Sequence, residues 1–211
     1  MNKKPSVLLL TSSNCPHCHA MIRSLDSLLK QQKLSMLEVI NIEEQPDRAT
    51  GFNVRSVPWF KLGLLEFNEA LTESELTNWI DSYNTYDSYS RYIEYLLLNG
   101  KLNLAIDWIE KNNVSLNEVL NLITKLEIKI NVRIGIGAIF EHYDSSKKLS
   151  EIIPRIKILM DSANAELRAD LCHFLLLTRD KGLCNYLQKL LHDEDRNVRE
   201  IAEESIDELC S

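Results

Sequence analysis

The sequence predicts two domains of different class, an α/β domain over residues 1–84 and an all-α helical-repeat domain over residues 85–211. Three observations predict it. Before residue 85, short apolar runs alternate with segments of helical period, and four of the five prolines lie there. After it no strand pattern remains, and apolar residues recur at spacings of three and four. Finally, Arg133, Arg168 and Arg199 stand in similar contexts 35 and 31 residues apart, a period at which helix pairs stack into a solenoid.

The elements follow in order. Val7-Leu8-Leu9-Leu10 is a continuous apolar run, as a strand buried on both faces reads. Ser12-Ser13-Asn14 breaks it, and Met21, Ile22, Leu25, Leu28 and Leu29 then predict a helix from Cys15 to about Lys33. Met36 to Ile42 reads as a second strand, and Pro46 opens a short helical turn ending near Gly51. Pro58 to Leu62, Gly63, and Leu64 to Phe67 read as a tight hairpin. Thr72 and Glu75 have the spacing of a capping box before a helix with Leu76, Trp79 and Ile80 on its apolar face. The Tyr- and Ser-rich stretch Asp81 to Ser90 reads as a packed connection, since flexible linkers are rich in Gly and Ser rather than aromatic residues. Beyond it come apolar sets at Tyr92, Tyr95 and Leu96, at Leu104, Ile106 and Ile109, and at Leu116, Val119, Leu120 and Ile123. Ser115 and Glu118 have the spacing of a second capping box.

The chain has 211 residues, 24 basic and 31 acidic, for a net charge of −7. This is the composition of a globular protein, without the basic face of a nucleic-acid binder. No apolar run is long enough to span a membrane, and the run after the basic N-terminus, Val7 to Leu10, is too short for a signal peptide. The expectation is a cytoplasmic protein that binds neither membrane nor nucleic acid.

Five cysteines stand at 15, 18, 172, 184 and 210, an odd and scattered set unlike a secreted disulfide framework. Cys15-Pro16-His17-Cys18 is the chemically distinctive pair. A structural zinc would need a second pair at similar spacing, which the sequence lacks, so no metal is expected. Cys15 falls at a predicted helix start, where unpaired N–H groups and the positive dipole end favour a thiolate. Pro16 fits the first helical position, and a protonated or hydrogen-bonding His17 would stabilise the thiolate further. Thiols at such sites have pKa values of about 3.5 to 7.5. Cys18 lies one turn on, where its sulfur can close a disulfide with Cys15. Cys15 is expected as the exposed nucleophile and Cys18 as the shielded resolving thiol. Cys172 and Cys184, set among leucines, are expected as small core residues, and Cys210 as an exposed residue of a frayed end. Pro58 opens an apolar strand. A cis Val57–Pro58 bond would expose the Val57 backbone to a bound peptide, and a trans bond is equally open to the sequence. Trp59 either joins the core or faces the groove.

On these motifs, residues 6–82 resemble the thioredoxin fold. The CPHC follows the first strand, Asn41 to Pro46 and Phe52 to Pro58 resemble the family's approach to its cis-proline, and Cys15 and Pro58 are 43 residues apart, close to the family spacing. The resemblance implies a cis bond at Pro58, substrate peptide held by the Val57 backbone, and exchange through a mixed disulfide at Cys15; Pro16, Pro58 and Trp59 are expected around that peptide. It implies no cofactor, only an upstream thiol reductant. Several positions depart from the family. Asn14 replaces its usual Trp, Leu9 its buried carboxylate, and Trp59 its usual Thr. Pro16-His17 is a dipeptide of the more oxidising members. These departures point away from a general cellular reductant, and His17 or His19 either replaces the missing acid or is simply solvated. Cys-Pro-x-Cys also occurs in glutaredoxin-like members, but no Gly-Gly turn follows Phe67. In the second domain, Asp195 to Ala202 resembles the second helix of a HEAT repeat. The expected function is a thiol–disulfide oxidoreductase acting on a protein substrate, with the helical repeats binding a protein partner. The alternative is a mainly non-catalytic interaction scaffold or redox sensor.

Overall fold

The structure, a computed structural model, describes residues 4–52, 54–85, 87–125 and 127–210. Of the positions used above, Met1 to Lys3, Asn53 and Tyr86 lie outside the described residues. The chain divides into two compact units, Met1–Ser88 and Tyr89–Ser211.

The first unit is built on a four-stranded mixed sheet. Its strands are β1 (Ser6–Thr11), β2 (Met36–Asn41), β3 (Trp59–Leu62) and β4 (Leu65–Phe67), in the order β2-β1-β3-β4. β1 pairs parallel with β2, with Thr11 opposite Asn41, and antiparallel with β3, with Leu9 opposite Phe60 and Leu10 opposite Trp59. A central strand covered on both faces needs apolar residues at consecutive positions. Val7, Leu9 and Leu10 are accordingly buried. Helices α1 (Pro16–Lys30) and α3 (Glu73–Ser82) pack together, with Trp79 of α3 edge-on to Phe67. On the other face Leu10, Ile40 and Trp59 form a cluster, covered by Ile42, Phe52, Val54 and Val57 near the short helix α2 (Pro46–Thr50).

Helix α1 ends three residues before the expected Lys33. Gln32 takes the left-handed conformation at φ 60°, its N–H donates to Leu29 O, and the Lys33 N–H donates to Leu28 O. This is a Schellman stop, made without the glycine that usually announces one. The β3–β4 turn does use glycine. Gly63 has φ 58°, and a Cβ there would lie 1.8 Å from the Tyr83 hydroxyl. The Thr72 capping box forms in full, with Glu75 N–H on Thr72 Oγ1 at 3.3 Å and Thr72 N–H on Glu75 Oε2 at 2.8 Å.

Among its described residues the second unit has helices joined by turns and no strand. It runs through α4 (Ser88–Leu98), α5 (Leu102–Lys111), α6 (Asn117–Ile123), α7 (Ile130–His142), α8 (Lys147–Ser150), α9 (Ile153–Leu159), α10 (Ala165–Leu177), α11 (Cys184–Leu190) and α12 (Arg196–Leu209). Of the apolar set expected on α5, Ile106 and Ile109 are buried, with Ala105 and Trp108 beside them, while Leu104 is 49% exposed. The capping box expected at Ser115 and Glu118 does not form. Ser115 Oγ accepts from the Asn117 N–H, while the Glu118 carboxylate accepts from the hydroxyl of buried Ser90 at 2.6 Å.

The three recurring arginines occupy one register. Arg133, Arg168 and Arg199 are each the fourth residue of their helix, on α7, α10 and α12, and α10 packs against both α7 and α12. Arg133 pairs with Glu166 and, at 2.7 Å, with Asp170, both on α10. Arg168 makes two 2.7 Å bonds to Asp193 and donates to Ser162 O. Arg199 donates to Asp193 O and Glu194 O. Each arginine thus satisfies groups on the next helix or in the loop beside it.

Candidate functional site

Parallel pairing of β1 and β2 brings both strand ends to the same edge of the sheet, and the site is built there. The turn after β1 is pinned by residues after β2. The Ser13 N–H donates to Glu43 Oε2 at 3.2 Å, Asn41 Nδ2 donates to Ser13 Oγ at 3.0 Å, and the Glu43 N–H donates to Asn41 Oδ1 at 3.0 Å. Sequence reasoning gave Asn41 and Glu43 no part in the site. The signal was the register itself, since Thr11 opposite Asn41 places polar residues from both strand ends side by side.

From this turn the chain enters α1. Cys15 is the N-cap, in extended conformation, and Pro16 is the first helical residue. The Cys18 N–H points at Cys15 Sγ, 3.1 Å away. An N-cap side chain satisfies one of the helix's unpaired N–H groups; here that side chain is a sulfur. No acidic residue lies in the first turn of α1 to oppose charge on it. Cys15 and Cys18 are joined in a disulfide with Cα atoms 5.3 Å apart. Cys15 is half-buried and Cys18 fully buried. Pro16, His17 and His19 are exposed.

The segment before β3 closes the site. The Val57–Pro58 peptide bond is cis, and Val57 O lies 3.9 Å from Cys15 Sγ. In the disulfide the sulfur carries no proton, so this is a contact; after reduction the same pair is placed for an S–H donor. Val57 is half-buried and Pro58 buried. Trp59 is 8% exposed and lies in the core cluster, its ring 5.4 Å from that of Phe52. Of the two places that the sequence leaves open for Trp59, core or groove, it takes the core. With Leu10 opposite it on the central strand, its side chain fills the layer beneath the site. Beside Val57 lies a groove of about 530 Å³ with apolar walls from Leu10, Ile42, Pro46 and Val54 and charged groups at Glu43 and Arg55.

Leu9, at the position where the resemblance places a carboxylate, is fully buried and paired with Phe60. Among the described residues no cluster of three or more His, Cys, Asp or Glu side chains is arranged to hold a metal ion, and no helix is long and apolar enough to cross a membrane.

The other cysteines differ from expectation. Cys172 is a buried free thiol whose pKa burial pushes up to about 12. Cys184 and Cys210, expected as a core residue and a frayed end, form a second disulfide with Cα atoms 6.0 Å apart. The packing of α11 against α12 brings the first residue of one helix beside the residue that follows the other. That proximity depends on tertiary structure and leaves no mark in the spacing. No protein-family model matches the chain, and no curated protein matches it in sequence.

Proposed function

We propose that the chain is a thiol–disulfide oxidoreductase of thioredoxin-like fold that exchanges disulfides with a protein substrate through Cys15 and Cys18. The observation that carries the reading is the asymmetry of the pair. Cys15, half-exposed, sits on a helix N-cap with the Cys18 N–H aimed at its sulfur, while Cys18 is buried beneath it. The sheet order, with CPHC at the end of β1 and Val57 against Cys15, supports the fold assignment.

In the reducing direction, the Cys15 thiolate attacks one sulfur of a substrate disulfide. The other substrate sulfur leaves and takes a proton, and a mixed disulfide joins Cys15 to the substrate. Cys18, once deprotonated, attacks Cys15 Sγ, releases the second substrate thiol and closes the Cys15–Cys18 disulfide. Two electrons pass to the substrate, and an upstream thiol reductant restores the pair. The groove beside Val57 holds the peptide flanking the substrate cysteine. The second unit, read as HEAT-like repeats from the shared register of Arg133, Arg168 and Arg199, binds the partner protein. The setting that fits a reductant is the cytoplasm.

The test is a redox titration of the Cys15–Cys18 pair in full-length protein with Cys184 and Cys210 replaced by Ser. A two-electron transition between about −270 and −120 mV is expected, the range of known exchange enzymes. Alongside it, Cys18→Ser should accumulate mixed disulfides at Cys15. Absence of both overturns the reading. A second reading, a redox-sensitive docking module with little turnover, is favoured by Leu9, since no buried carboxylate stands there to deprotonate Cys18. Under it Cys15→Ser spares partner binding and function; under the first, Cys15→Ser abolishes function.

A further inference from the structure

The bond between Cys184 and Cys210 spans 26 positions and fastens the first residue of α11 to the residue capping the C-terminus of α12. Both cysteines are half-buried, so reagents reach them, in contrast to Cys172, which is 0% exposed.

The bond holds a helix end that its own charges oppose. α12 carries Glu200, Glu203, Glu204, Asp207 and Glu208, and no basic residue lies in its last turn. Carboxylates at a helix C-terminus face the negative end of the macrodipole. Glu200 and Glu204, Glu203 and Asp207, and Glu204 and Glu208 also stand four apart, the spacing at which like charges repel. Against this stand the burial of Leu209, the Cys210 N–H on Ile206 O at 2.8 Å, Arg196 on Glu200 at 2.7 Å near the other end of the helix, and Arg179, which bridges Glu208 at 2.5 Å and Asp144 at 3.1 Å. The N-terminal end of the same helix needs no such help, because Asp195 caps it through the Val198 N–H and Arg199 is bonded to the preceding loop.

We propose that Cys184–Cys210 is a second redox site, acted on by a dithiol reductant, and that its reduction releases the last turns of α12 while the rest of the unit stays folded. One thiolate of the dithiol attacks one of the two sulfurs, the Cys184–Cys210 bond breaks, and the other sulfur leaves as a thiolate that takes a proton from water. The second thiol of the reagent, deprotonated, attacks its own partner in the mixed disulfide and expels the remaining cysteine, which is protonated in turn. Two electrons pass to the protein, and the dithiol becomes a disulfide. The site stands independently of what the CPHC pair does.

The experiment uses the full-length chain with Cys15 and Cys18 replaced by Ser, so that only this bridge responds, and dithiothreitol as the dithiol. Peptide mapping without reductant should recover the Cys184–Cys210 link, and reduction should yield both thiols together. Hydrogen exchange should then quicken about tenfold or more for amides 203–210 and stay within about twofold across Ala165–Leu177. In the same background, Cys184→Ser with Cys210→Ser should show the fast exchange without reductant and no further response. Failure to recover the link overturns the proposal. So does unchanged exchange in α12 on reduction. Acceleration across α10 as well overturns it too, because the bond would then be a staple of the whole unit.

Discussion

At the scale of single residues, burial sorts the five cysteines into two sets, the enclosed Cys18 and Cys172 and the half-buried Cys15, Cys184 and Cys210. Cys172 is fully enclosed, and its thiol, raised to about 12 by burial, stays protonated at any ordinary pH. Cys15 is half-exposed with an N–H directed at its sulfur. In the reduced protein at pH 7, iodoacetamide should therefore modify Cys15 first, about tenfold faster than Cys184 or Cys210, and Cys172 only after denaturation. Mass spectrometry of timed samples checks the order; labelling of Cys172 in the native protein would contradict its burial. Much of this was legible in the sequence. A CxxC after an apolar run and before an amphipathic segment locates a helix start, and leucines around Cys172 announce its burial. Trp59 was not decidable, because its neighbours Leu10 and Ile40 come from other strands.

At the scale of elements, the two capping-box patterns show what sequence spacing can and cannot carry. Thr72 with Glu75 and Ser115 with Glu118 have the same spacing, yet one forms and the other does not. Glu75 has no competitor and stays on Thr72, whose hydrogen bonds hold its carboxyl below the usual carboxylate range. Glu118 is taken by Ser90, 28 residues earlier and buried. A local pattern is reliable only where no buried polar group from elsewhere claims its partner. Arg168 and Asp193 are the converse, a long-range pair that the repeat of arginines suggested without naming its carboxylate. Both side chains are 7% exposed. Removing one partner leaves a buried charge, so Arg168→Ala should cost about 3–5 kcal/mol in denaturant unfolding. The pH dependence has a definite sign. The hydrogen bonds from Arg168 hold Asp193 below its ordinary value. Its contribution to stability is thus fully present above the unfolded pKa of about 3.9 and is lost as pH falls through the folded value. The gap between wild type and Arg168→Ala should narrow below about pH 4. A gap unchanged on acidification would mean that the ion pair is not its source. Gly135 marks a different kind of contact. A Cβ there would lie 2.6 Å from Leu97 Cδ2, so alanine on α7 fits only if the Leu97 side chain on α4 shifts. Gly135→Ala should destabilise the helical unit by about 1–3 kcal/mol, less if Leu97 changes rotamer.

At the scale of the whole molecule, the CPHC site and the recurring arginines belong to different units. Cys15, Cys18, Val57 and the Asn41–Glu43 turn all lie within Met1–Ser88, and the hydrogen bonds that hold the CPHC turn come from β1, β2 and the residues just beyond them. The arginine ladder and the Cys184–Cys210 bond lie within Tyr89–Ser211. If the first unit holds its own site, its redox chemistry should survive without the second. A chain of residues 1–88 should react with a small disulfide such as 5,5′-dithiobis(2-nitrobenzoate) within about twofold of the full-length rate, since it retains Cys18, Val57 and the Asn41–Glu43 turn. The same truncated chain carrying Cys18→Ser should capture fewer protein substrates than full-length Cys18→Ser, because the extended surface expected of stacked helices is gone. The two measurements separate the roles. A loss of small-molecule reactivity in a folded 1–88 chain would mean that the second unit helps to build the CPHC site. Equal capture by both chains would mean that the groove beside Val57 alone selects the substrate, leaving the helical unit another task.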